Sequence, residues 1–194
     1  MALINTERPR LNTGISVRPA KVCDAHAIAR IHVAAWKSTY QGIVPQPVLD
    51  SLDVSSRADD WTSWLDADGV KTFVAEKDDE LCGFASGSAI REALSYVDGD
   101  IRTVLDAEVY AIYLLPSAKG QGTGKLLMHH LAKSLRVQGF QSLAVWVLAE
   151  NPSCGFYEHL GGTRISRKTL RIGDSDLPEI AYAWSDIRVL ADWA

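Results

Sequence analysis

The sequence predicts an α/β (α+β) fold: a mixed, mostly antiparallel central sheet with one parallel strand pair and helices on both faces. Three observations predict it. First, Val109–Leu115 (VYAIYLL), an apolar run closed by Pro116, leads through a glycine-rich loop into an amphipathic helical pattern, and that pattern leads into Ser142–Leu148 (SLAVWVL). A strand–helix–strand unit demands parallel pairing and a right-handed crossover. SLAVWVL is almost entirely apolar, as a strand covered on both faces should be. Second, Val70–Glu76 and Leu81–Ala89 flank the polar turn Lys77-Asp78-Asp79-Glu80 and read as a hairpin. Third, Thr163–Ile172 and Glu179–Ser185 read as a closing antiparallel hairpin.

In chain order, residues 1–13 are polar, contain Pro9 and lack periodicity, so a loose tail is expected there and a single domain over 14–190. Ile15–Arg18 is a short first strand. Asp24 can cap a helix that carries Ile28, Ile31, His32 and Ala35 at helical spacing, with Trp36 and Tyr40 near its end. Gly42, Pro45 and Pro47 break it. A second helical stretch holds Trp61, Trp64 and Leu65 and ends near Gly69. After the first hairpin, Arg91–Asp106 reads as irregular. Glu108–Leu115 is the fourth strand, and Gly124–Val137 a helix with Leu127, Met128, Leu131, Ala132 and Leu135 on one face, stopped by Gly139. The fifth strand, SLAVWVL, is the parallel partner of the fourth. Asn151–Leu160 is a short helix.

Bulk properties exclude several function classes. A chain of 194 residues can bury a full core, and 47% hydrophobic with 23% charged residues is the balance of a globular protein. A net charge of −4 without a basic run argues against a nucleic-acid partner. No apolar stretch reaches membrane-spanning length, and MALINTERPRLNTG has no apolar signal core. Cys23, Cys82 and Cys154 are odd in number and form no C-x-x-C pair, so neither a disulfide framework nor a zinc site is expected, and a reducing cytoplasm fits. Cys154 reads as a packing residue rather than a nucleophile. His129 and His130 are adjacent, which points them to different sides of a helix, so no metal is expected there.

The chemistry is concentrated in Lys119-Gly120-Gln121-Gly122-Thr123-Gly124-Lys125. Glycine at every second position lets the backbone turn tightly and expose its N–H groups, and the helix behind adds a partial positive charge. Such a loop suits a phosphate or pyrophosphate; the alternative is a strand-to-helix turn without a ligand. It is not a P-loop, because three residues separate Gly120 from Gly124 and Leu126 stands where Ser or Thr would hold magnesium. It is not a dinucleotide fingerprint either, since Lys125 replaces the third glycine.

Together with NPSCGFYEHLGG (Asn151–Gly162), this strand and loop resemble the GCN5-related N-acetyltransferase family, small bacterial type. Lys119, Gly122 and Gly124 match the spacing of the family's Arg/Gln-x-x-Gly-x-Gly/Ala loop, with Lys119 keeping the charge but not the planar fork of donors. Asn151, Phe156, Tyr157, Leu160 and Gly161 resemble its later segment, one residue short between Asn and Tyr. IHVAAWKSTYQGIVP (Ile31–Pro45) resembles a Trp…Tyr-x-Gly-x-x-Pro segment near the N-terminus. The resemblance implies acetyl-CoA as co-substrate and no metal. Lys119–Lys125 would hold the pyrophosphate. The backbone at Ile112, Tyr113 and Leu114, with Asn151, would hold the pantetheine arm, although Asn151 can equally be a helix cap.

An acceptor ammonium with a pKa of about 10.4 must lose its proton before it attacks. By resemblance the base is Glu108; otherwise Glu108 is a solvated strand-end charge. Tyr157 would protonate the departing thiolate, or else only packs beside Phe156. Trp36 and Tyr40 line the acceptor cleft or pack in the core, with Asp98 and Asp100 expected nearby, while Trp61 and Trp64 read as core. The implied activity is acetyl transfer to a primary amine of a small molecule or peptide by direct attack. A non-catalytic acyl-CoA-binding or sensing module and a protein N-terminal acetyltransferase are the alternatives. Homodimers are common in the family.

Overall fold

The computed structural model describes residues 14–193, so the tail expected over 1–13 lies outside them. The chain runs β1 (Ile15–Pro19), α1 (Ala25–Thr39), α2 (Gln46–Asp50), α3 (Val54–Asp66), β2 (Lys71–Lys77), β3 (Glu80–Ala89), β4 (Ser95–Asp98), β5 (Ile101–Val104) and β6 (Ala107–Leu114). It continues α4 (Thr123–Val137), β7 (Leu143–Leu148), α5 (Cys154–His159), β8 (Thr163–Ile172), β9 (Ser175–Trp184) and α6 (Arg188–Ala191). The main sheet has the order β1-β2-β3-β6-β7-β9-β8. Its neighbours are antiparallel except β6 and β7, which are parallel as the strand–helix–strand unit requires.

Each helix covers a face that its sequence pattern selects. On one face α4 buries Leu127, Met128, Leu131 and Leu135 against Ala75, Ala85, Val109 and Val145, each large side chain contributing about 1.5–3 kcal/mol. On the other, Ile28 and Ile31 of α1 and Trp61 of α3 pack on Val74 and Phe84. The β2–β3 turn places Asp78 and Asp79 at φ 53° and 64°. A two-residue hairpin needs that left-handed backbone, and Asp tolerates it better than most side chains.

Two segments depart from the sequence reading. Arg91–Asp106 is not wholly irregular: β4 and β5 form a separate two-stranded ribbon, turned at Gly99 with φ 56°. Behind it Leu105 is buried with Ala144 and Ala183, covering the sheet where no helix does. The prolines that end α1 also begin a new element, since α2 starts behind Pro45 and carries proline in its first turn, where a missing N–H costs nothing.

Two irregularities in β6 shape the site. Ser86 pairs with Ala111 and Gly87 with Val109, so Tyr110 is an extra residue, a β-bulge. The bulge shifts the alternation: Ala107 and Val109 face α4, and beyond it so do Ile112 and Leu114, while Ala111 and Tyr113 face α1 and α3. The second irregularity is the brevity of the parallel pairing. Only Glu108 with Ala144 and Val109 with Val145 are in register, after which β6 and β7 part.

Gly87 sits across from the bulge, where a Cβ would stand 2.6 Å from the Glu108 carbonyl oxygen and 3.3 Å from Leu131 Cδ2. A backbone oxygen in a sheet cannot step aside. Gly87→Ala is therefore expected to destabilise the fold by about 1–3 kcal/mol, read as a lower denaturant midpoint. An unchanged midpoint would show that the bulge can relax.

Candidate active site

The glycine loop is built to present backbone. Gly120 and Gly122 adopt φ 72° and 81°, and Gly122 is the residue that caps α4. Leu126 N–H bonds to Gly122 O at 3.0 Å, so the N–H groups of Thr123, Gly124 and Lys125 precede the first intrahelical bond and remain open donors. The loop's side chains mostly turn inward on the loop. Thr123 Oγ1 donates to Ala118 O at 2.9 Å. Gln121 donates to Ser117 O and accepts from Lys77 Nζ at 3.1 Å, which ties the loop to the end of β2. Gly124 has a packing role, since a Cβ there would meet the Phe156 ring at 3.1 Å. Lys125 lays its ammonium over the Trp193 ring.

A cavity of about 730 Å³ runs from this loop along the parted edge of β6. Lys119, Gly120, Gly122, Thr123, Gly124 and Lys125 close one end; Ile112, Tyr113 and Leu114 form a wall; Asn151, Phe156 and Tyr157 form the other. Every expected cofactor residue lines it except Gln121. A second cavity, of about 540 Å³, is lined by Trp36, Arg91, Glu92, Glu108, Lys168, Leu170, Ile172 and Glu179. Tyr40, Val109, Tyr110, Tyr113, Trp146 and Val147 line both, so the cavities meet where β6 and β7 part.

At that junction the aromatic hydroxyls are ordered. Trp36 Nε1 donates to Tyr113 OH at 2.8 Å, and Asn151 Nδ2 donates to Tyr40 OH at 3.0 Å. Asn151 Oδ1 accepts from Ser153 N–H at 2.8 Å, so this side chain both opens the turn into α5 and fixes Tyr40. Burial holds both Tyr40 and Tyr113 above the ordinary phenol range. His32 stacks on Tyr113 at 4.9 Å and accepts from Trp61 Nε1 at 3.2 Å; burial pushes it down to about 3, so it is a neutral buttress.

Tyr157 lies in α5 with its ring against Phe156 and Tyr182. Its hydroxyl has no hydrogen-bond partner among the described residues, and the residue lines the larger cavity. The shortened spacing from Asn151 does not take it out of that wall. Burial, and then the neighbouring Tyr40, hold its phenol well above the usual range, so it keeps its proton at neutral pH. Cys154 packs beneath, its thiol directed at the Leu148 and Ala149 carbonyls and raised by burial, which makes it inert. His129 bonds Leu190 O, and His130 packs on Phe73.

Glu108 is buried in the wall of the smaller cavity, at the first of the two positions where β6 and β7 pair. Its carboxylate is engaged: Arg91 donates from its backbone N and its Nε, each at 3.2 Å, and from its Nη2. Trp61 is core, as expected, and Trp64 is exposed. Asp98 and Asp100 lie at the β4–β5 turn and do not line the cleft. The sequence reading missed Arg91, Trp146, Lys168 and Glu179. They come from a loop and three strands that only the folded sheet brings together, and no spacing signal joins them.

The parted strands, the donor-rich loop and the Asn–Phe-Tyr helix point to one family, and the sequence decides it: the profile of the Acetyltransferase (GNAT) family matches residues 31–162. The chain belongs to that family. It is an acyltransferase by descent. The GNAT chain is 36% identical over 177 residues to the uncharacterized N-acetyltransferase YuaI of Bacillus subtilis, covering 91% of this chain and 96% of that protein. Its fold is similar to that of yncA of Salmonella typhimurium, solved with its cofactor acetyl-CoA (TM-score 0.64, 22% identity, 89% of this chain and 94% of the other). It is also similar to the PaiA N-acetyltransferase of Thermoplasma acidophilum in complex with coenzyme A (TM-score 0.60, 18% identity, 88% and 99%).

Proposed function

We propose that this GNAT chain transfers the acetyl group of acetyl-CoA to a primary amine by direct attack, with Tyr157 as proton donor to the departing thiolate. The observation that carries the reading is the junction of the two cavities. One offers open backbone donors for a pyrophosphate; the other is an aromatic cleft with carboxylates; Tyr157 and the free edge of β6 stand near their meeting point.

In this reading the N–H groups at Thr123, Gly124 and Lys125 bind the pyrophosphate, helped by the dipole of α4 and the charge of Lys119. The backbone of Ile112–Leu114, freed of a strand partner on the β7 side, holds the pantetheine arm and polarises the thioester carbonyl. The amine nitrogen forms a bond to the carbonyl carbon, the oxyanion collapses, and the C–S bond breaks. The Tyr157 hydroxyl passes its proton to sulfur and recovers one from the nitrogen through water. Three free cysteines fit a reducing cytoplasm as the setting, and no described helix is long and apolar enough to cross a membrane.

Two measurements test this. Calorimetric titration with CoA should show saturable binding, and thiol release from acetyl-CoA should depend on an added amine. Binding without amine-dependent thiol release would favour a sensing module, and absence of binding would remove the cofactor reading.

A further inference from the structure

The acceptor cleft holds three carboxylates and two cations, and they do not balance. Arg91 is matched by Glu108. Lys168 Nζ is matched by Glu92 at 2.7 Å and lies over the Trp146 ring at 4.3 Å. Glu179 is left over. It makes no hydrogen bond or ion pair among the described residues, although it is half-buried and faces Lys168 across β8 and Leu148 across β7. Its position follows from the hairpin. The β9 strand pairs with β7 to the end of β7, which sets Glu179 in the cavity wall where the parted strands open.

We propose that Glu179 receives the acceptor's ammonium and takes its first proton, and that the acceptor is accordingly a primary amine with a single positive charge on an apolar or aromatic body. This rests on the acetyltransferase reading of the same cavities. A zwitterionic acceptor would need a free cation for its carboxylate, and both cleft cations are paired. A polyamine would need a second free carboxylate. The remaining wall, with Trp36, Leu148, Leu170 and Ile172, suits an apolar body. In the step itself the ammonium N–H bond breaks, the proton goes to a Glu179 oxygen, and the freed lone pair attacks the thioester carbon. Glu179 then returns its proton to water.

Burial raises the Glu179 carboxyl above the ordinary carboxylate range; Glu92 and Glu108 add to the shift, and Lys168 and Arg91 oppose it. Tyr40, Tyr110 and Tyr113, the tyrosines that line the same cavity, are neutral at these pH values because burial raises each of them. Activity therefore needs Glu179 ionised, and its loss on acidification should begin above the pH at which an exposed carboxylate protonates.

The test compares 2-phenylethylamine, phenylalanine and spermidine as acceptors at saturating acetyl-CoA, with Glu179→Gln and Glu108→Gln as variants. The expected result is preference for 2-phenylethylamine. In Glu179→Gln, kcat/KM should drop on the order of 10²–10⁴-fold, the acid limb of the pH profile should vanish, and calorimetric CoA affinity should stay within a factor of two or so of the parent, because the group lies outside the cofactor cavity. Glu108→Gln should keep the acid limb. An acid limb that survives in Glu179→Gln, or that disappears in Glu108→Gln instead, overturns the role of Glu179. Preference for phenylalanine or spermidine, or turnover of none of the three while CoA still binds, overturns the acceptor class. Failure of the parent to bind CoA overturns the underlying reading as well.

Discussion

Tyr157→Phe is expected to lower kcat on the order of 10²–10⁴-fold, the usual worth of a positioned proton donor, while leaving CoA affinity and folding stability nearly unchanged. The ring is buried against Phe156 and Tyr182, and its hydroxyl makes no hydrogen bond within the described chain, so deleting one oxygen leaves no orphaned partner. The loss should fall on the chemical step, because the hydroxyl matters most as charge develops on sulfur. Burial keeps the phenol protonated but also makes the phenolate costly. Proton return must therefore be prompt, and a solvent isotope effect on the parent should shrink in the variant. Full activity in Tyr157→Phe would assign the thiolate's proton to solvent.

The second large effect is expected at Gly122, and it needs a matched pair of variants. Gly122 holds φ 81°, so any side chain there carries backbone strain. Asn and Asp tolerate the left-handed region comparably and differ mainly in charge. Gly122→Asp should bind CoA at least about 10-fold more weakly than Gly122→Asn, since one unit charge about 4 Å from a phosphate costs on the order of 4 kcal/mol near a protein surface. The difference should shrink in high salt. Equal affinities would move the pyrophosphate away from the start of α4.

The parts of this fold that were legible in the sequence are those specified by local chemistry. VYAIYLL, KGQGTGK and SLAVWVL state a strand, a left-handed turn and a buried strand in residues that allow little else, and the parallel pair follows from them. The Asp78-Asp79 turn was legible for the same reason. The β4–β5 ribbon was not. Its strands are short and half-exposed, so they carry little hydrophobic alternation, and pairing alone defines them. The bulge at Tyr110 was equally hidden, because an extra residue in an apolar run leaves the composition unchanged. At the site, the loop, Asn151 and Tyr157 could be named because they are contiguous or nearly so. Glu108 could be placed on its strand, but its engagement by Arg91 could not, since the partner sits in the segment read as irregular. Glu179 had no signal at all: its meaning comes from being the cleft's unmatched carboxylate, which is a property of five side chains drawn from one loop and three strands.

The meeting of the two cavities between β6 and β7 bears on the order of events. A single-mouthed pocket would oblige one reactant to enter before the other and to leave after it. In the proposed reading each reactant has its own cavity, and the two cavities meet where β6 and β7 part. Nothing about the acceptor's route requires the cofactor to depart first, so the acetyl group never has to be parked on the protein. A nucleophilic side chain at the junction would be superfluous, and the nearest thiol, Cys154, is turned toward backbone carbonyls. A gap left by two strands that stop pairing thus does the work that a covalent intermediate does in enzymes whose reactants must take turns.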